Sequence, residues 1–247
     1  MDKIQFENRM REIDKKYSEC FAQALLALSF DRNFVESITD ECPDVQLSCA
    51  GNSHGVEVTR FICSYYKTLK RYAKAWANQG LSIEQIVKEL PEELKNSVGL
   101  SHNCKIVPLK SLGENSSITK TKKKFAEILD TKLDRMNHYK KFDKNSLFIF
   151  ATELNHNLTS RQMLAAFVHE SHLKTASLKF DNIFVFTFDK LIIFDMNRFD
   201  GYYQEILVEQ DTINFCDKYA RNKTNNPNIT LKNYIKNFQI EPTERQM

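Results

Sequence analysis

At 247 residues, with 42% hydrophobic and 11% aromatic side chains, the chain can bury one sizeable core, which excludes a disordered or low-complexity protein. Thirty-five Lys and Arg against 32 Asp and Glu leave a formal charge of +3, too small to announce nucleic-acid binding by net charge alone. No apolar run approaches the ~20 residues that span a bilayer, and with six glycines there is no Gly-rich phosphate-cradling loop.

Residues 5–28 are predicted as helix, because Phe6, Met10, Ile13, Tyr17, Phe21, Leu25 and Leu28 recur at three- and four-residue steps. Its polar face carries Glu7, Glu12 and Glu19, whose plain reading is a solvated surface. Alternation over residues 33–39 predicts a short strand. Two further alternating runs, Val45 to Cys49 and Val56 to Phe61, flank the turn-rich residues 50–55 and predict a hairpin. With the preceding strand it makes a three-stranded meander.

Residues 61–79 again have helical spacing, with Lys67, Lys70, Arg71 and Lys74 opposite an aromatic stripe and Gly80 as the stop. Ser82 is a predicted N-cap for a short helical piece over 81–96, with Glu84 and Gln85 in its first turn. Residues 98–117 lack a sustained period and read as loop, with room for a strand at Lys105 to Leu109. The whole of 78–118 is treated as an insertion.

The segment 119–142 is the most basic helix expected. Phe125, Ile128, Leu129, Leu133, Met136 and Tyr139 form its apolar side, and Lys120, Lys122, Lys123, Lys124, Lys132 and Arg135 lie on or beside the other. Such clustering suits either a soluble helix face or contact with phosphates. Ser146 to Ala151 is a continuous apolar run, the mark of a central strand covered on both faces. Residues 160–176 form another helix, in which His169-Glu170-Ser171-His172 fails as a zinc-protease motif because its histidines stand three apart instead of four. Residues 183–188 and 191–196 predict a hairpin, 202–208 an edge strand, and 216–247 a polar C-terminal extension to a single domain over 1–215.

The six cysteines show neither CxxC nor zinc spacing. They fit a disulfide framework or small apolar fillers in a reducing compartment. The charged first ten residues, lacking a signal peptide's apolar block, favour a cytoplasmic protein without a membrane partner.

Chemistry concentrates in the hairpin, where Asp44 enters the first strand and Glu57 lies in the second. Two carboxylates at one end of a sheet suit a hard divalent cation. Pro43-Asp44, a dozen residues, then Glu57-Val58-Thr59 resembles the PD-(D/E)XK signature of the restriction-endonuclease-like nucleases, with Thr59 in the place of the motif lysine. The resemblance covers roughly residues 5–155 and implies an α/β fold, a restriction-endonuclease-like core with a central mixed sheet flanked by helices. It further implies Mg²⁺ or Mn²⁺ on Asp44, Glu57 and the Val58 carbonyl, with Glu19 of the leading helix as a further ligand. A hydroxyl such as that of Thr59 can orient water but supplies no cation. Relatives lacking the lysine take the charge from the following helix, which makes Lys132 and Arg135, and after them Lys67, the candidates here.

The function implied is metal-dependent cleavage of nucleic-acid phosphodiesters, DNA ahead of RNA, by a homodimer or within a larger defence or mobile-element complex. The alternative is a catalytically inactive nucleic-acid-binding or protein-interaction module of the same fold, in which Asp44 caps a turn and Glu57 is an ordinary strand residue.

Overall fold

The computed structural model describes residues 3–40, 42–61, 80, 82, 85, 88, 98–100, 106–108, 118–136, 142–151, 159–173, 179–187, 189–198 and 202–238. The leading helix α1 (Lys3–Ser29) is followed by a 3-10 turn (Arg32–Glu36) and strands β1 (Ile38–Thr39), β2 (Val45–Cys49) and β3 (Asn52–Arg60). Strands β4 (Val98–Leu100) and β5 (Ile106–Pro108) come next, then helix α2 (Ile118–Met136) and strand β6 (Lys144–Phe150). Helix α3 (Ser160–Leu173), strands β7 (Asn182–Phe186), β8 (Lys190–Asp195) and β9 (Tyr202–Leu207), and helices α4 (Gln210–Asn225) and α5 (Leu231–Phe238) complete the order.

Seven strands form one mixed sheet in the order β1-β2-β3-β6-β7-β8-β9. Strands β3, β6 and β7 run parallel at its centre, while β2 on one side and β8 on the other are antiparallel to them. The architecture is thus α/β with helices on both faces. Among the described residues no helix is long and apolar enough to cross a membrane.

Strand alternation divides the core in two. Val56, Val58, Phe148, Phe150, Phe184 and Phe186 pack beneath α1, α4 and α5, while Leu147, Ile149, Ile183, Val185 and Phe194 pack beneath α2 and α3. Both sides of β6 are therefore apolar, as its unbroken hydrophobic run requires. The second half of α1 is buried almost all round, with Ala22, Ala24, Leu25, Leu26 and Ala27 fully covered. Small alanines let α1 lie close to the sheet, where Phe21 meets the Phe150 and Phe186 rings at 5.1 and 5.4 Å.

Several local expectations are corrected. Residues 33–39 do not form a strand: the Asp31 carboxylate accepts from the Asn33 N–H at 2.8 Å and starts a 3-10 turn that buries Phe34 completely, leaving only Ile38–Thr39 in the sheet. The hairpin turn is tighter than residues 50–55. Cys49 pairs with Asn52, and Ala50 and Gly51 both take positive φ (51° and 82°), the geometry that matches strand twist in a two-residue connection. Residues 106–108 form a strand within the span 105–109 that had room for one, and its partner, residues 98–100, lies where loop was expected. The basic helix is described over Ile118–Met136, and residues 137–141 of the expected span lie outside the described residues.

The boundary placed at residue 215 falls inside α4, whose Phe215, Cys216, Tyr219 and Ala220 are buried against the rest of the core. At the opposite end of the insertion, Ser82 Oγ accepts from Gln85 N–H while Gln85 Oε1 accepts from Ser82 N–H, a reciprocal cap. Of the helix expected over 61–79, all but Phe61 lies outside the described residues.

Gly55 leaves no space for a side chain, since an added Cβ would stand 2.6 Å from the Pro43 ring and 3.0 Å from Phe142. A proline ring cannot rotate out of the way. Gly55→Ala is expected to lower stability by about 1–3 kcal/mol, measured as a reduced urea midpoint at unchanged m-value.

Candidate functional site

The candidate site arises because β3 is longer than its neighbour. Pairing between β2 and β3 ends at Val45 with Val56, yet β3 continues to Arg60 while still paired to β6 on its other side. Beyond residue 56 the β2-facing edge of β3 has no strand partner among the described residues, so its backbone groups need others. Asp44 answers first: its Oδ2 accepts the Val58 N–H at 2.7 Å, and the residue is 3% exposed.

Glu57 lies one residue earlier and, by alternation, on the α2 face of the sheet. It is 4% exposed, and Lys132 of α2 donates to its Oε2 at 2.6 Å. The same ammonium stands 3.5 Å from the Val58 carbonyl oxygen. Asp44 and Lys132 thus meet the N–H and C=O of one residue. Lys132 is placed there by the spacing of α2, since Phe125, Leu129 and Leu133 dock on the core and residue 132 falls at the border of that stripe. Its side chain is only 12% exposed. Arg135, by contrast, is exposed on the same helix, so of the two cations expected to reach this place Lys132 is the one that does.

From the other face comes α1. Glu19 is 6% exposed, and Lys15 one turn before it lies 3.2 Å from Asp44 Oδ1 and 3.4 Å from Glu19 Oε1. The second contact has ion-pair distance without hydrogen-bond alignment, so the buried Glu19 Oε1 has no hydrogen-bond partner among the described residues. One turn further on, Gln23 fixes the rotation of α1. Its Nε2 donates to Ser37 Oγ at 2.9 Å, and its Oε1 accepts from Tyr219 of α4 at 2.9 Å. Between α1 and the end of β3 lies a hollow of about 340 Å³, lined by Lys15, Ser18, Glu19, Val58, Thr59 and Arg60. Thr59 is half-buried and shares the strand face of Glu57.

The electrostatics follow from a count. Three buried carboxylates, Glu19, Asp44 and Glu57, face two ammonium groups, Lys15 and Lys132. One negative charge is left over, and Glu19 bears the consequence. Burial first, and the Asp44 carboxylate second, raise its pKa to about 7, with Lys15 opposing them. Burial works against the charge on Lys15 too, but Asp44 and Glu19 outweigh it, so the amine's pKa lies above the ordinary lysine value.

The donor set suits a hard divalent ion: buried carboxylate oxygens, one of them without a hydrogen-bond partner, beside a main-chain carbonyl at an open strand edge. The residues that would hold such an ion are Glu19, Asp44, Glu57 and the Val58 carbonyl. As the side chains stand, no three Asp, Glu, His or Cys among the described residues enclose an ion: Glu57 turns to Lys132 on the α2 face, while Asp44 and Glu19 turn to Lys15 on the α1 side. Lys15, at 54% side-chain exposure, is the more easily displaced of the two. It is also the residue that the sequence reading missed, although its i,i+4 spacing to Glu19 was visible.

Glu19 makes stability depend on pH. Its carboxyl titrates near 4.5 when unperturbed and near 7 in the fold, so between these values the unfolded chain releases the proton while the folded one keeps it, and stability falls as pH rises through the window. Glu19→Gln is expected to be more stable than the parent by about 1–3 kcal/mol at pH 8, with the gap closing below about pH 5 in urea titrations. Compared with known proteins, the chain matches no family model, no curated protein and no solved structure, so its site is read from geometry.

Proposed function

We propose that the protein is a divalent-metal-dependent nuclease of the PD-(D/E)XK kind, acting on DNA, in which Lys132 supplies the cation that Thr59 cannot. One observation carries the reading: the ammonium of the helix after the hairpin stands 2.6 Å from Glu57 and 3.5 Å from the Val58 carbonyl. The order of helix, three strands, helix and parallel strand around it is the order that the resemblance implies. A residue two positions after Glu57 on β3 would share its face; a lysine reaching in from α2 presents the same charge beside the same carboxylate.

In this reading Asp44 holds the Val58 peptide so that its carbonyl stays turned to the open edge. Glu19, Asp44, Glu57 and that carbonyl are the groups that would hold the metal. Bound there, Mg²⁺ or Mn²⁺ supplies Lewis acidity toward a phosphoryl oxygen and lowers the pKa of coordinated water. Lys132 places positive charge beside the attacked phosphate and orients the Glu57 carboxylate. Thr59, through its hydroxyl, orients water or the phosphate. The exposed lysines of α2, such as Lys123, offer charge for the flanking backbone.

A second reading, a binding module without catalysis, is favoured by one specific observation: each acid pair is already met by a lysine, with Lys15 on Asp44 and Glu19 and Lys132 on Glu57. Cleavage of plasmid and linear DNA with Mg²⁺ or Mn²⁺ separates the two. The nuclease reading expects Asp44→Ala, Glu57→Ala and Lys132→Ala each to lose on the order of 10²-fold or more in rate. Adding Thr59→Lys to the Lys132→Ala variant is expected to recover a substantial part. No cleavage by the parent with either metal, or equal cleavage by the alanine variants, leaves the non-catalytic module.

A further inference from the structure

A second hollow, of about 420 Å³, lies between α1, the end of β3 and α4. It shares Asp14 and Arg60 with the hollow beside Glu19, so the two adjoin. Its size is within the range of small-ligand sites. What distinguishes it is a pair of guanidinium groups delivered by different elements.

Arg60 is the last residue of β3, two beyond Val58, and by alternation it emerges on the α1 face. Its side chain is 32% exposed, and its described pairing, with Asp14 Oδ2, is loose at 3.9 Å. Arg221 comes from the C-terminal half of α4. Its Nε donates to both oxygens of Asp217, at 3.0 and 2.9 Å, which aims the group while leaving its terminal nitrogens outside that contact. Asp217 is itself held by the Tyr17 hydroxyl at 2.7 Å, so the Arg221 head is positioned by a chain of hydrogen bonds anchored on α1. Guanidinium groups are the chemistry that binds phosphate, and here Arg60 is partly buried while Arg221, 63% exposed, is aimed by its contact with Asp217. Tyr17 and Ile13 add an apolar wall that a sugar or base can lie against.

We infer that this hollow is a phosphate-binding subsite, in which Arg60 and Arg221 grip the nucleic-acid backbone on the α1 side of the candidate site, beside the hollow at Glu19. The inference rests on the nuclease reading for its ligand but not on catalysis. The occupant is one strand of DNA, led from the end of β3 across α1 to α4.

The test measures binding of fluorescently labelled single-stranded and duplex oligonucleotides to the full chain in EDTA, by anisotropy, across a salt series. Arg60→Gln/Arg221→Gln is expected to bind roughly tenfold or more weakly at low salt. Its slope of log K against log salt should be shallower by about 1.4 for a single strand or about 1.8 for a duplex, the value for two lost phosphate contacts. Arg60→Lys/Arg221→Lys should keep most of the slope, and a control, Lys190→Gln on the β8 edge, should keep all of it. Thermal melts establish that each variant is folded. If the Gln pair destabilises the fold, the single Arg221→Gln variant is used, with half the slope change expected. An unchanged slope, or no oligonucleotide binding by the parent, overturns the subsite. A shallower slope in a protein that cleaves nothing sustains the subsite while the catalytic reading fails, and cleavage with an unchanged slope does the reverse.

Discussion

The hydrogen bond from Val58 N–H to the Asp44 carboxylate is the contact on which the rest of the site depends. A strand that outlasts its partner has a row of unsatisfied backbone groups, and burying them unpaired costs about as much as a lost hydrogen bond each. By spending a charged side chain on the first of these groups, the chain ends β2 abruptly and keeps the edge of β3 open. Around the open edge Glu57 and Lys132 meet on the α2 face, while Asp44 and Glu19 meet Lys15 on the α1 side, and none of them lies on a long loop. Rigid elements supply nearly all the participants, which is the condition for precise geometry.

Charge explains why the two faces of the sheet differ around that edge. On the α2 side Glu57 and Lys132 form a short, nearly dry pair, each the other's main compensation. On the α1 side Lys15 serves two acids at once and satisfies neither fully, since its head is half in solvent and Glu19 Oε1 lacks a hydrogen bond. A proton on Glu19 relieves the imbalance, and so would any added cation. The arrangement combines a fixed positive charge on one side with a replaceable one on the other.

Much of this was legible in residue order. The hairpin, the apolar run of β6, the leading helix and the stripe of α2 all followed from periodicity, and Lys132 was reachable because it sits at the border of the Phe125, Leu129, Leu133 row. The 3-10 turn at Arg32–Glu36 was not, because a single local bond from Asp31 redirects residues whose alternation resembles a strand. Helix α4 was read as part of a polar extension because its buried positions, Phe215, Cys216, Tyr219 and Ala220, are outnumbered by polar ones, although they stand at helical spacing. Lys15 was overlooked for a different reason. Nothing local shows that a lysine on a charged helix face will meet an aspartate 29 positions later, a separation read from the pairing of Lys15 with Asp44.

The bonds that orient α1 also set a constraint in time. Tyr17 and Gln23 take their partners, Asp217 and Tyr219, from 200 and 196 residues away. Contacts so distant in sequence form late, after the loop-closure entropy of the intervening chain has been met. During synthesis, the first helix and the hairpin therefore leave the ribosome long before the element that locks their relative rotation. Until residue 219 has emerged and docked, Gln23 lacks the Tyr219 hydroxyl that completes the fixing of α1.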